Sequence, residues 1–265
     1  MRVAAGTVEY TLGVAPVSGH GFSWNTNELD AALTCPVSEV VFDDSGKADI
    51  SKMLYGLVET DFEKDQIERI LTDTNSPEDW RVGEALAETY MVHQRNCYFP
   101  WPDGRDERKT GSSLPGADLV GFQKEGDEDF FAFGEVKTSA EHKYPPGAVY
   151  GRTGLKKQIE DLRDSENIRD DLVKYLAYRA VTAQWKDRYE NAAKKYMQDN
   201  TSVRIFGFLV RDVSPNHDDL RVRVNKLSNG VPASMNIELL AIYLPPDSVG
   251  QLSNKVVQFR QGGVG

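Results

Sequence analysis

The chain has 265 residues, 40 % of them hydrophobic, and a formal net charge of −10 from 31 Lys and Arg against 41 Asp and Glu. That length allows one large domain or two small ones, and that balance belongs to a globular protein and excludes a disordered one. No apolar run approaches a membrane span and no secretory leader pattern opens the chain, while Cys35 and Cys97 are too few for a disulfide framework, a Cys-rich zinc module or a Cys-held cluster, so a reducing, cytoplasmic setting is expected.

Charge is uneven along the chain. Residues 1–100 carry 17 acidic and 7 basic side chains, whereas residues 101–265 carry 24 of each. A protein held to nucleic acid mainly by nonspecific phosphate contacts is basic overall. The balance therefore argues mildly against that mode, and leaves room for a local basic face in the neutral part.

In chain order, residues 8–14 and 39–42 read as short strands separated by Gly, Ser and Asn. Ile50, Met53, Leu54, Leu57, Val58, Ile67, Ile70 and Leu71 follow a helical period. Ser76-Pro77-Glu78-Asp79 has the form of an N-cap, a Pro at the first helical position and an acidic first turn, opening a helix to about residue 94. Residues 98–116 are rich in Gly, Pro, Asp and Arg and predict a long loop. Apolar runs at 117–122 and 130–136 flank a polar stretch, which predicts a β-hairpin with Gly126-Asp127 at its tip. Helices are expected at about 154–164 and 168–199, the second with Leu172, Tyr175, Leu176 and Arg179 on one stripe. Strands follow at 203–211, 220–227 and 237–244, before a frayed Gly-ended tail. This order predicts an α/β fold, a mixed sheet flanked by helices. Residues 1–75 read as an acidic N-terminal extension and residues 76–265 as the core.

The hairpin carries the chemistry. An acid two residues before a lysine means little alone, because composition yields about five acid-x-base triplets by chance. A tip centred between Gly126 and Asp127, however, sets Asp118 directly across the ladder from Glu135, with Cβ atoms roughly 5 Å apart. Lys137 lies two residues further and points to the same side, with Leu119, Phe133 and Val136 expected to pack behind. Facing carboxylates repel unless a cation neutralises them. Mg²⁺ (or Mn²⁺) takes one or two carboxylates plus waters and phosphate oxygens. Such an ion acidifies water and offsets phosphate charge, and Lys137 would orient the attacking water, so the pattern points to phosphodiester hydrolysis. The plain alternative is a surface hairpin in which Lys137 forms an ion pair with Glu135 or Asp118. A one-residue slip in register would send the acids to opposite faces.

Asp118, with Pro115 three before it, and then Glu135-x-Lys137 on the next strand, after a helix carrying Glu, resembles the PD-(D/E)xK nuclease superfamily. The resemblance spans about residues 77–165 and implies a restriction-endonuclease-like fold and a Mg²⁺-dependent deoxyribonuclease. In that superfamily a Glu from the preceding helix reaches the metal. Here Glu84 or Glu88, four apart on one helical face, would serve, and Glu84 is favoured. The helix after the core strands supplies a residue that helps hold water or phosphate, a role that would fall to Gln158. The segments 113–118 and 134–139 look most like the nuclease subunits of Hachiman-type antiphage defence, which act with a superfamily 2 helicase encoded beside them. That likeness implies DNA as substrate, a helicase partner and no membrane, with the acidic N-terminal region as a helicase-binding surface. Two other readings stay open: a catalytically inactive nuclease-like subunit that binds a helicase or nucleic acid, and an acid-rich surface that mimics nucleic acid.

Other signals carry less. No P-loop is present, and His20, His93, His142 and His217 show no ligand spacing. Tyr98 and Trp101 could stack on bases, and Arg105, Arg108 and Lys109 could form a phosphate-contacting lip.

Overall fold

The computed structural model describes residues 2–73, 75–102, 105–106 and 116–262. Its strands are β1 (Thr7–Val14), β2 (Val17–Ser23), β3 (Cys97–Tyr98), β4 (Leu119–Glu125), β5 (Glu128–Ser139), β6 (Val203–Arg211) and β7 (Asn236–Tyr243). They form one seven-stranded sheet in the order β1-β2-β7-β6-β5-β4-β3. The central strands β5, β6, β7 and β2 are parallel to their neighbours, β1 closes one edge antiparallel to β2, and the β4–β5 hairpin with β3 closes the other.

Parallel strands need both faces covered. All nine residues of β6 are buried. Phe206, Phe208 and Val210 enter one core, while Val203, Ile205 and Leu209 enter the other. The first core is roofed by α1 (Thr26–Ala32), α2 (Ser38–Phe42), α5 (Asp79–Arg95) and α10 (Leu252–Gly262). The second is roofed by α6 (Leu155–Asp164), α7 (Glu166–Ala180), α8 (Lys186–Gln198) and α9 (Arg221–Leu227). Between α2 and α5 lie α3 (Asp44–Tyr55) and α4 (Asp61–Leu71), the latter opened by a capping box of Thr60 with Glu63.

Two glycines set how closely helices approach the sheet. A Cβ on Gly83 would stand 1.9 Å from Thr138 Oγ1, so α5 can lie on β5 only because residue 83 has no side chain. Gly207 lets Ile159 of α6 sit against β6 in the same way, since its Cβ would meet Leu239 Cδ2 at 2.7 Å and Ile159 at 3.3 Å.

Several expectations change. Residues 39–42 are helical, not a strand: α1 passes through a π-helical turn, Leu33–Val37, directly into α2. Residues 220–227 alternate like a strand, but Leu220, Val224 and Leu227 bury together at the i, i+4, i+7 spacing of helix α9. The period at 50–71 divides at Gly56 into α3 and α4, and the stretch 168–199 divides into α7 and α8. Glu78 occupies the N-cap of α5, so Ser76 and Pro77 precede the helix. Strand β2, diluted by two glycines, and helix α10 had no clear sequence signal. Within residues 1–75, expected as an extension, β1 and β2 complete the sheet itself. No helix among the described residues is long and apolar enough to cross a membrane.

Candidate active site

The hairpin register places Leu119 opposite Gly134 and Val120 opposite Phe133. Continued by one pair, it sets Asp118, just before β4, across from Glu135, as the sequence predicts. Alternation then divides β5 between the two layers. Ala132 and Val136 join the core under α5, with Leu119, whereas Phe133 lies on the same side as Glu135 and Lys137, in the core under α6 and α7. Phe133 therefore flanks the acids on their own face, because it differs from Glu135 by two positions, and does not pack behind them.

Asp118 and Lys137 stay partly exposed while Glu135 is 2 % exposed. The Val136 amide donates to Asp118 Oδ2 at 2.8 Å, which pins that carboxylate to β5. Lys137 Nζ lies 3.5 Å from Glu135 Oε2 and 3.7 Å from Asp118 Oδ2. The lysine thus straddles the two acids at the long end of ion pairing. Burial raises the Glu135 pKa from 4.5 to about 9, the Asp118 charge adds to the rise, and Lys137 only partly opposes it. Without more positive charge, Glu135 holds a proton at neutral pH.

Gln158 comes from the second turn of α6 and lines, with Glu135, a cavity of about 490 Å³ that reaches α7. Its Oε1 is buried and has no hydrogen-bond partner. Glu84 and Glu88 are on α5, which packs on the opposite face of the sheet from Glu135. They share a narrow cleft with Asp118, and Glu84 Oε2 accepts from Arg81 Nη1 at 3.1 Å. Among the described residues, no three His, Cys, Asp or Glu side chains converge into a group that could hold a metal. The structure thus brings together Asp118, Glu135 and Lys137, sets Gln158 on the wall of the adjoining cavity, and holds Glu84 and Glu88 on the other side of Asp118.

The donor set suits a hard divalent ion. Two side-by-side acids, with a buried one that lacks sufficient counter-charge, are oxygen donors of the kind Mg²⁺ and Mn²⁺ take alongside water and phosphate.

Of the expected basic lip, Arg105 is among the described residues. Arg105 donates through Nε and Nη2 to both Asp43 oxygens, at 2.7 and 2.8 Å, so its charge is already met, while Arg108, Lys109 and Pro115 lie outside the described residues. The Trp101 ring has the Arg105 and Arg179 guanidiniums 5.2 and 5.3 Å from its centroid, a packed position and not an open stacking platform. Tyr98 is partly exposed with Arg188 over its ring. Sequence reasoning missed that α7 walls the site. Leu172 and Tyr175 line the cavity beside Glu135, and the only signal was their place on one helical stripe.

No protein-family model matches the chain, and no curated protein does.

Proposed function

We propose that the protein is a divalent-metal-dependent nuclease that hydrolyses DNA phosphodiester bonds on a PD-(D/E)xK-type scaffold. One observation carries this reading: Asp118, Glu135 and Lys137 meet at one point beside an open cavity, with Glu135 buried and short of positive charge. Burial beside a like charge in a cleft is the arrangement by which active sites displace the pKa of an acid.

In this reading Asp118 and Glu135 hold a Mg²⁺ or Mn²⁺ ion. The bound ion acidifies water and offsets charge on the phosphate. Lys137, a compact cation on the same face, orients the attacking water and balances charge that grows on phosphate oxygen. Gln158 Oε1 accepts a hydrogen bond from that water or from substrate. Glu84 or Glu88 extends the acidic rim past Asp118. The likeness to Hachiman-type nuclease subunits adds a helicase partner and a role in antiphage defence, with the acidic N-terminal region as the docking surface.

A second reading has its own support. Lys137 already spans both acids, so an inactive, nuclease-like binding subunit would be electrostatically tolerable. Plasmid cleavage with Mg²⁺, with and without a chelator, separates them. The Glu135→Ala/Lys137→Ala variant should lose cleavage by roughly a thousandfold while keeping its fold and melting cooperatively. Undiminished cleavage in that variant removes the enzyme reading.

A further inference from the structure

The cavity beside Glu135 is larger than water or a phosphate oxygen requires. At about 490 Å³ it falls in the range of roughly 300–1,000 Å³ typical of small-molecule pockets. Val120, Leu162, Ile168 and Leu172 give it apolar walls, and Tyr175 adds an aromatic one. Its unpartnered buried polar atom is an acceptor. Gln158 Oε1 is buried without a partner, while Asp161 is paired with Lys157 and Asp171 with Lys174. Such a lining repels phosphate and accommodates a neutral, flat group that brings N–H donors.

Tyr175 is held rigidly for such a contact. Its hydroxyl donates to Asp106 Oδ2 at 2.5 Å, and the Arg179 guanidinium lies 3.6 Å from its ring centroid while donating to Asp106 Oδ1 at 2.7 Å. An aromatic already fixed loses little freedom when a second ring packs on it.

We propose that this cavity receives an unpaired nucleobase of the bound strand, turned out beside the acid pair, packed against Tyr175 and donating to Gln158 Oε1. The inference rests on the nuclease reading for its placement: a phosphate held through a divalent ion at Asp118 and Glu135 would put the neighbouring nucleoside at the cavity mouth. The preferred substrate is then a strand whose bases are free, either single-stranded or locally melted, because a paired base cannot leave its stack without cost.

Binding without cleavage tests it. With Ca²⁺ in place of Mg²⁺ and strand integrity checked on a gel, the full chain is titrated into fluorescent oligothymidylate and into an oligomer of equal length and charge made of abasic sites. The normal strand should bind roughly tenfold or more tightly, as stacking of a base on an aromatic provides. Ile168→Trp, which fills the cavity, and Tyr175→Leu, which removes the ring, should each erase most of that preference and leave affinity for the abasic strand within about twofold of the parent. Two variants guard against one failing to fold, and thermal melts verify both. No preference in the parent, or a preference that survives both substitutions, overturns the proposal. Parallel Mg²⁺ assays keep the two readings apart. Cleavage without base preference removes the pocket and keeps the nuclease, whereas base preference without cleavage keeps the pocket and removes the nuclease.

Discussion

Glu135 on β5 and Asp219, eight residues past the end of β6, are both carboxylates with almost no solvent exposure, at 2 % and 1 %. Their surroundings differ completely. Asp219 Oδ1 accepts from Arg211 Nη1 at 2.9 Å and its Oδ2 accepts from Tyr243 at 2.8 Å. Arg211 in turn donates to the carbonyls of Glu141 and Lys143, and Tyr10 lies 2.8 Å from the Tyr243 hydroxyl, tying the edge strand β1 to β7. Burial still lifts the Asp219 pKa, but Arg211 and Tyr243 pull it back. Glu135 has a second acid for a neighbour and a lysine no nearer than 3.5 Å. A satisfied buried acid is a fastening, and an unsatisfied one is a vacancy for charge, which is why only the second suggests chemistry.

The same chemical change should therefore have opposite signs at the two places. Asp219→Asn leaves the fully buried Arg211 without its counter-charge and should cost about 3–5 kcal/mol in urea unfolding. Glu135→Gln replaces a carboxylate that prefers to be neutral and should leave stability at pH 8 unchanged or higher, while cleavage is lost. Equal destabilisation by both substitutions would break the contrast.

A pH series sharpens it. The Glu135 pKa is higher folded than unfolded, so between 4.5 and about 9 the folded state holds a proton that the unfolded state releases. Its contribution is fully present below pH 4.5 and is lost as pH rises toward 9. Relative to Glu135→Gln, the parent should lose up to about 1.4 kcal/mol per pH unit between pH 5 and 8. The comparison cancels every other titrating group common to both proteins. Added Mg²⁺ should raise the melting temperature of the parent at pH 8 and leave that of Glu135→Gln nearly unchanged. Parallel pH profiles for the two proteins would mean that Glu135 is charged in the folded state.

The site was legible in sequence where its cause is local. One turn, Gly126-Asp127, fixes the hairpin register, and register alone sets Asp118 across from Glu135 and Lys137 on their side. The strands 203–211 and 237–244 were also legible, because a run buried on both faces is apolar throughout. Failures came where tertiary contact decides. Arg-Val-Arg-Val at 221–224 alternates like a strand and folds as helix because Leu220, Val224 and Leu227 share one core. Val40-Val41-Phe42 has strand propensity and is helical because α2 continues the chain of α1 across the sheet face. The cavity wall on α7 had no motif at all, since it depends on how a helix some forty residues beyond Glu135 returns to the sheet. The side of the sheet on which Glu84 and Glu88 stand was equally unreadable, since helix periodicity says which residues share a face and not which layer that face meets.

Substitutions at Gly83 test whether the acids of α5 take part, at the smallest expected effect. Gly83→Ala forces a Cβ into Thr138 Oγ1, a buried hydroxyl with no hydrogen-bond partner, and should cost about 1–3 kcal/mol as α5 lifts from β5. Thr138→Ala alone removes an unpaired polar atom and should be nearly neutral. Combined, the two should recover much of the loss, because the atom in conflict is gone, and a double-mutant cycle by chemical unfolding measures the recovery. Cleavage by the folded Gly83→Ala protein then reports on α5. If Asp118 and Glu135 suffice for the chemistry, the rate per folded molecule stays within a few-fold of the parent, because neither acid is on the displaced helix. A loss of tenfold or more, restored with stability in the double variant, would bring Glu84 or Glu88 into the working site and make its acids span both faces of the sheet.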